Sequence, residues 1–285
     1  MDQVKETSTL AIHVPDSFDL IKTFDSGQNF RYTVEKGWLT VVVGERVLKA
    51  KQEKNRLIFK AIPPEDLSFW THYLSLDEDY DAYLKELCTD TPMARALEKG
   101  KGIRILKQPL WEMTVCFILS QNNNIPRIKK LVDALCTTYG VPIHHEGAVF
   151  YTLPTPERLA AVSCEELRLL GVGYRDRYLV DAAERFAKGE IREASLKEMS
   201  TAEARKMLMS IHGVGGKVAD CILLFGLHRY EVCPHDVWIK RVFKEQYRLE
   251  TVTEKNGYAL ARERWGDYAG LAQQFLFYTA RQQQK

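Results

Sequence analysis

Two hydrophobic rhythms divide the chain. As far as about Ile62 the apolar residues come in short, β-branched runs. Gly37-Trp38-Leu39-Thr40-Val41-Val42-Val43 and Arg56-Leu57-Ile58-Phe59-Lys60 have strand composition, and Lys36-Gly37 and Glu53-Lys54-Asn55 supply turns. From about Leu10, this stretch predicts a small antiparallel sheet. Ile62-Pro63-Pro64 then breaks the pattern. Beyond it, apolar positions recur at helical spacing. Residues 111–119 are apolar nearly all round, as a buried central helix requires. Residues 128–139 carry an apolar stripe with basic residues off it. The segments 157–170, 178–188, 201–211, 216–227, 237–247 and 268–282 read as further helices. Pro154 and Pro156 interrupt where a helix would begin, and Thr201 offers an N-cap. The pattern predicts an α+β fold, with a sheet domain over residues 1–75 and a mainly helical core over 76–285.

Composition narrows the setting. With 285 residues there is ample material for a core. Forty basic against thirty-eight acidic residues leave a formal charge of +2, which neither supports nor excludes a nucleic-acid partner. Cys88, Cys116, Cys136, Cys164, Cys221 and Cys233 form no CxxC pair and no tight cluster, so no zinc ribbon or iron–sulfur cluster is expected. Free thiols in a reducing compartment are the simpler reading. No apolar run approaches the roughly 20 residues of a membrane span. The N-terminus lacks a signal-peptide pattern. A soluble, intracellular protein is expected. There is no internal repeat and no low-complexity tract.

Candidate chemistry sits in two segments. Ile211-His212-Gly213-Val214-Gly215-Gly216-Lys217-Val218-Ala219-Asp220-Cys221 is a glycine-rich hairpin leading into a helix, within a helix-hairpin-helix at about 201–227. Gly213 and Gly215 permit a tight turn and close approach of a phosphate to backbone N–H groups. Lys217 lies at the start of the helix, where the macrodipole disfavours its charged form and partial burial works in the same direction. A neutral lysine is a nucleophile for an electrophilic carbon. Nineteen residues later, Asp236 in Val232-Cys233-Pro234-His235-Asp236-Val237 places a carboxylate before another helix. It can cap that helix, and it can also stabilise a developing cation. On the same residues, Lys217 could be a solvated first-turn lysine and the hairpin a DNA-binding element without catalysis.

The hairpin, the lysine and the downstream aspartate resemble the helix-hairpin-helix (HhH-GPD) DNA glycosylases, and among these the 8-oxoguanine DNA glycosylases. The resemblance runs from Ser26-Gly27-Gln28-Asn29-Phe30-Arg31 to Tyr268-Ala269-Gly270-Leu271-Ala272-Gln273, with separated motifs in the family's order. It implies a TATA-binding-protein-like sheet domain packed on a helical glycosylase core. It further implies base-excision repair of double-stranded DNA containing 8-oxoguanine, preferably opposite cytosine, by a bifunctional glycosylase and AP lyase. Lys217 is then the Schiff-base nucleophile and Asp236 the carboxylate facing the sugar. The carbonyl of Gly27 would distinguish the oxidised base, whose N7 carries a hydrogen. Cys221 and Phe277 would sandwich the purine, and Gln273 would read its Watson–Crick edge. Asn122 would fill the space of the extruded base, Tyr174 would wedge into the stack, and Arg127 and Arg175 would reach the orphaned cytosine.

Hairpin carbonyls can hold a monovalent cation in this family, and no cofactor is required. Trp238 departs from the pattern: the better-known eukaryotic enzymes carry a histidine there that contacts a phosphate, and an indole carries no charge. A monomer is expected, cytoplasmic if prokaryotic and nuclear if eukaryotic. The rival readings are an alkylpurine glycosylase, which needs no lysine, and a non-catalytic hairpin module that only binds DNA.

Overall fold

The computed structural model describes residues 9–283. Its first part carries β1 (Thr9–His13), α1 (Leu20–Asp25), β2 (Tyr32–Glu35), β3 (Trp38–Val43), β4 (Arg46–Glu53) and β5 (Arg56–Lys60). The strands pair antiparallel in the order β1-β5-β4-β3-β2. Alternation puts Leu39, Val41, Leu48, Ala50, Leu57 and Phe59 on one buried face. That face packs on Phe24 of α1 and on Trp70 and Tyr73 of α2 (Leu67–Tyr73).

The chain then turns helical: α3 (Tyr80–Leu87), α4 (Thr91–Lys99), α5 (Leu110–Ser120) and α6 (Ile125–Tyr139). A short hairpin of β6 (Pro142–His145) and β7 (Ala148–Tyr151) follows. Next come α7 (Pro156–Ala160), α8 (Cys164–Leu169), α9 (Asp176–Ala187), α10 (Glu193–Glu198), α11 (Thr201–Met209) and α12 (Gly216–Gly226). The last elements are α13 (Val237–Glu245), α14 (Glu254–Trp265) and α15 (Ala269–Gln282). As its all-round apolarity predicts, α5 is buried along nearly its whole length, packed on α12 and α6.

The α+β reading holds: an N-terminal antiparallel sheet sits on a mainly helical body. Two local expectations change. The single helix expected over 157–170 is two, because Ser163 starts a new helix with a capping box closed by Glu166. The β6–β7 hairpin interrupts a region that reads as helical, and Glu146 at its tip pairs with Lys49 and Lys60 of the sheet.

A polar seam joins sheet and helical body. Arg31 Nη1 donates to Glu112 Oε1 at 2.9 Å, both side chains are about 7% exposed, and Glu112 also accepts the Gly44 amide. Arg31 Nη2 donates to the Tyr151 carbonyl at 2.7 Å. Asn29 Nδ2 donates to the Tyr73 hydroxyl and to Gln108 Oε1. Among the described residues no helix is long and apolar enough to cross a membrane.

Candidate active site

The helix-hairpin-helix consists of α11, the turn 210–215 and α12. Gly213 adopts φ 77°, and a Cβ there would lie 2.4 Å from the ring of Tyr178, so both backbone and packing demand glycine. The same ring meets His212 edge-on at 5.0 Å and Tyr174 at 5.7 Å. Tyr178 therefore ties the hairpin to the loop that carries the expected wedge. Gly215 differs, since its φ of −88° suits any residue and the space before its Cβ is open. What Gly215 supplies is clearance in front of the helix terminus. The amides of Gly213 and Gly215 carry no hydrogen bond among the described residues, which leaves them for an anion.

Lys217 opens the first turn of α12 and faces a cavity of about 1010 Å³. Its Nζ lies 5.5 Å from the ring centre of Phe117, so an apolar wall flanks the amine. One turn on, Cys221 borders the same cavity, near enough to feel the Lys217 charge. Burial pushes the Cys221 thiol up to about 11, against the pull of the neighbouring ammonium, so it stays protonated at neutral pH.

Asp236 borders the same cavity as the N-cap of α13. Its Oδ1 accepts the Trp238 and Ile239 amides at 3.0 and 2.9 Å. The second oxygen carries no hydrogen bond among the described residues, so one carboxylate caps the helix and still presents an acceptor. Burial raises the Asp236 pKa above the ordinary carboxylate value, while the Ile239 amide, the Lys217 charge and the Trp238 amide oppose the rise. Trp238 lines the cavity, with the Arg241 guanidinium 5.8 Å from its ring.

The expected base-binding residues line this cavity too, although they come from opposite ends of the chain. Gly27 has φ 84°, and a Cβ on it would meet Phe277 Cε1 at 2.9 Å. Gln273 is buried, and its Oε1 has no hydrogen-bond partner among the described residues. A buried acceptor left unpaired is costly, and this one borders a space large enough for a purine.

The two loops expected to enter the duplex meet each other. Asn122, in a left-handed conformation (φ 47°), donates from Nδ2 to the Tyr174 hydroxyl at 3.2 Å. Arg127 is exposed at the start of α6 and reaches the Gly171 carbonyl at 3.4 Å. Arg175 behaves differently. It is 4% exposed, and its guanidinium donates to the carbonyls of Gln121, Asn122 and Val172. Four of the five guanidinium N–H groups are thereby occupied. Its observed contacts hold the Asn122 loop rather than face open space.

Sequence reasoning passed over Gln274 and Arg281, which also line the cavity. Both lie in a helix that reads as core. Arg281 could have been found by its spacing, one helical turn beyond Phe277. Among the described residues there is no cluster of three or more His, Cys, Asp or Glu side chains able to hold a metal. In the hairpin the Ile211 carbonyl is taken by the Val214 amide. The carbonyls of His212 and Val214 are unpaired among the described residues and would be acceptors for a cation.

Comparison with known proteins agrees with this geometry. Residues 11–114 match the profile of the 8-oxoguanine DNA glycosylase N-terminal domain, and residues 115–267 match that of the HhH-GPD superfamily base excision DNA repair proteins. The N-glycosylase/DNA lyase of Saccharomyces cerevisiae is 30% identical, over 90% of this chain and 82% of the yeast protein. The structure of MBOgg1 with a low-affinity DNA ligand superposes with a TM-score of 0.94 at 40% identity, covering 99% of this chain and 98% of that one. The 8-oxoguanine glycosylase/lyase of Clostridium acetobutylicum, in complex with duplex DNA containing cytosine opposite 8-oxoguanine, gives 0.93 at 31% identity, with 98% of each chain covered. With both family profiles met in order and these similarities running nearly end to end, the chain belongs to the 8-oxoguanine DNA glycosylases of the HhH-GPD superfamily.

Proposed function

We propose that this protein removes 8-oxoguanine from duplex DNA, preferentially opposite cytosine, and then cuts the strand at the abasic site it has made. The observation that carries this reading is the shared cavity: an amine, a carboxylate, an unpaired amide oxygen and a glycine–phenylalanine contact border one space of about 1010 Å³. The DNA complex of the Clostridium relative supports the choice of duplex and opposite base.

Once the Lys217 ammonium has given up a proton, its amine adds to the deoxyribose C1′ while the C1′–N9 bond breaks, and the base leaves with the bonding electrons and takes up a proton. Positive charge grows on the sugar in this step, and the free oxygen of Asp236 faces it. Loss of the amine proton and ring opening give an imine. The imine acidifies C2′; a C2′ proton is lost, the C3′–O bond breaks, and the 3′ strand departs with its phosphate. Neither step calls on a redox or Lewis-acid group. A monovalent cation at the hairpin carbonyls would act only on how the phosphate backbone is held. The six unpaired cysteines fit a reducing compartment.

Borohydride reduction of the imine on duplex carrying 8-oxoguanine tests this directly. The protein is expected to give a covalent adduct, and Lys217→Gln to bind the duplex without one. An adduct undiminished in Lys217→Gln moves the nucleophile elsewhere. Base release that survives the substitution points to an alkylpurine-type enzyme using Asp236 and water. Binding with no adduct and no release in the unmodified protein leaves only a hairpin binding module.

A further inference from the structure

We infer that Gln274 and Arg281 of α15 are positioning residues for lesion choice, because they fix the peptide that carries the Gly27 carbonyl. This deepens the proposed reaction and rests on it. Glycine is the residue whose carbonyl rotates most freely. A carbonyl on glycine discriminates a base bearing hydrogen at N7 from one bearing a lone pair only if it is held still. A mobile carbonyl would swing away from the lone pair and lose the repulsion that rejects guanine.

The structure holds this carbonyl from both flanks. On one side, Gln274 Nε2 donates to the Ser26 carbonyl at 2.8 Å, with both residues buried. Arg281 Nη2 donates to the Asp25 carbonyl and pairs with the Asp25 carboxylate at 3.0 Å. On the other side, Gln108 Nε2 donates to the Gln28 carbonyl at 2.9 Å, and the Gln28 side chain is anchored to Arg104 and Leu106. Between these pinned peptides the Gly27 carbonyl carries no hydrogen bond among the described residues and borders the cavity. Arg281 also lies beside the glycine itself, since a Cβ on Gly27 would come 3.4 Å from its Nη1. Gln273 and Gln274 thus divide the work: the first turns its amide to the cavity, and its neighbour turns to the peptide frame.

The test measures affinity in the Lys217→Gln background, where bound DNA is not processed. The ligands are duplexes with 8-oxoguanine opposite cytosine, guanine opposite cytosine, and a tetrahydrofuran abasic analogue. Gln274→Met keeps the length and the helix preference but removes the donor. It is expected to lower the 8-oxoguanine-to-guanine affinity ratio about tenfold while binding of the abasic analogue falls about threefold at most. Arg281→Met is expected to shift the ratio the same way, and it serves alone if Gln274→Met does not fold. Cleavage of a preformed abasic site, with Lys217 present, reports whether each variant folds. An unchanged ratio, or equal losses on all three duplexes, overturns the inference. If the Lys217→Gln parent itself shows no preference for 8-oxoguanine over guanine, the proposed substrate falls as well.

Discussion

Asp236 caps its helix and, in the proposed reaction, also faces the sugar. A cap needs a carboxylate turned back onto its helix, and a transition-state partner needs one turned outward. Here Oδ1 takes both amides and leaves the other oxygen to the cavity. Because burial raises the pKa, protonation on acidification begins at a higher pH than for an exposed aspartate, and the anion is lost as pH falls through that raised value. Single-turnover excision is expected to decline on its acid side at a pH above 3.8, the unshifted value for an aspartate. Asp236→Asn keeps a competent cap. It should reduce excision about 100-fold or more with a melting temperature close to that of the unmodified protein. A variant that excises normally would reduce the carboxylate to a cap. A variant that melts much earlier would show the charge itself to be structural.

Among the elements, the loops that carry Asn122 and Tyr174 are joined to each other. Arg175 grips the backbone around Gln121 and Asn122, Asn122 meets Tyr174, and Tyr178 ties Tyr174 to the hairpin. The two arginines expected to read cytosine should therefore separate by experiment. Arg127→Ala is expected to narrow the difference in single-turnover excision between cytosine and adenine as opposite base. Arg175→Ala is expected to lower excision about tenfold opposite all four bases, because a loop loses its anchor. A cytosine-specific effect of Arg175→Ala would return it to base reading. This division was not visible in the sequence, where Arg127 and Arg175 look alike as arginines in loops. The hairpin and the helix that Lys217 opens were legible because Gly213 and Lys217 sit within one local motif. So was α5, whose apolarity alone gives its burial. The division of 157–170 was written in Ser163 and Glu166, but the apolar spacing runs on across them. Gln274 and Arg281 stayed hidden because their partners, Ser26 and Asp25, lie at the far end of the chain.

For the whole molecule, the Arg31–Glu112 pair is where the sheet and the helical body depend on each other. Removing one partner of a buried pair leaves a charge without compensation, at about 3–5 kcal/mol. Glu112→Ala should lower the unfolding free energy by that order, whereas Arg31→Met with Glu112→Leu should lose less. Denaturant titration of both variants checks this, and equal losses would mean that the seam stabilises by shape rather than charge. The hydrogen bond from Gln274 to Ser26 spans 248 positions. That distance sets an order in time. On a growing chain, Asp25 and Ser26 are made early, and their partners Arg281 and Gln274 come only with α15. Contacts so distant in sequence close late and slowly. Because α13, the helix that Asp236 caps, also packs on α15, the setting of the carboxylate and the choice of base mature together once that last helix is in place.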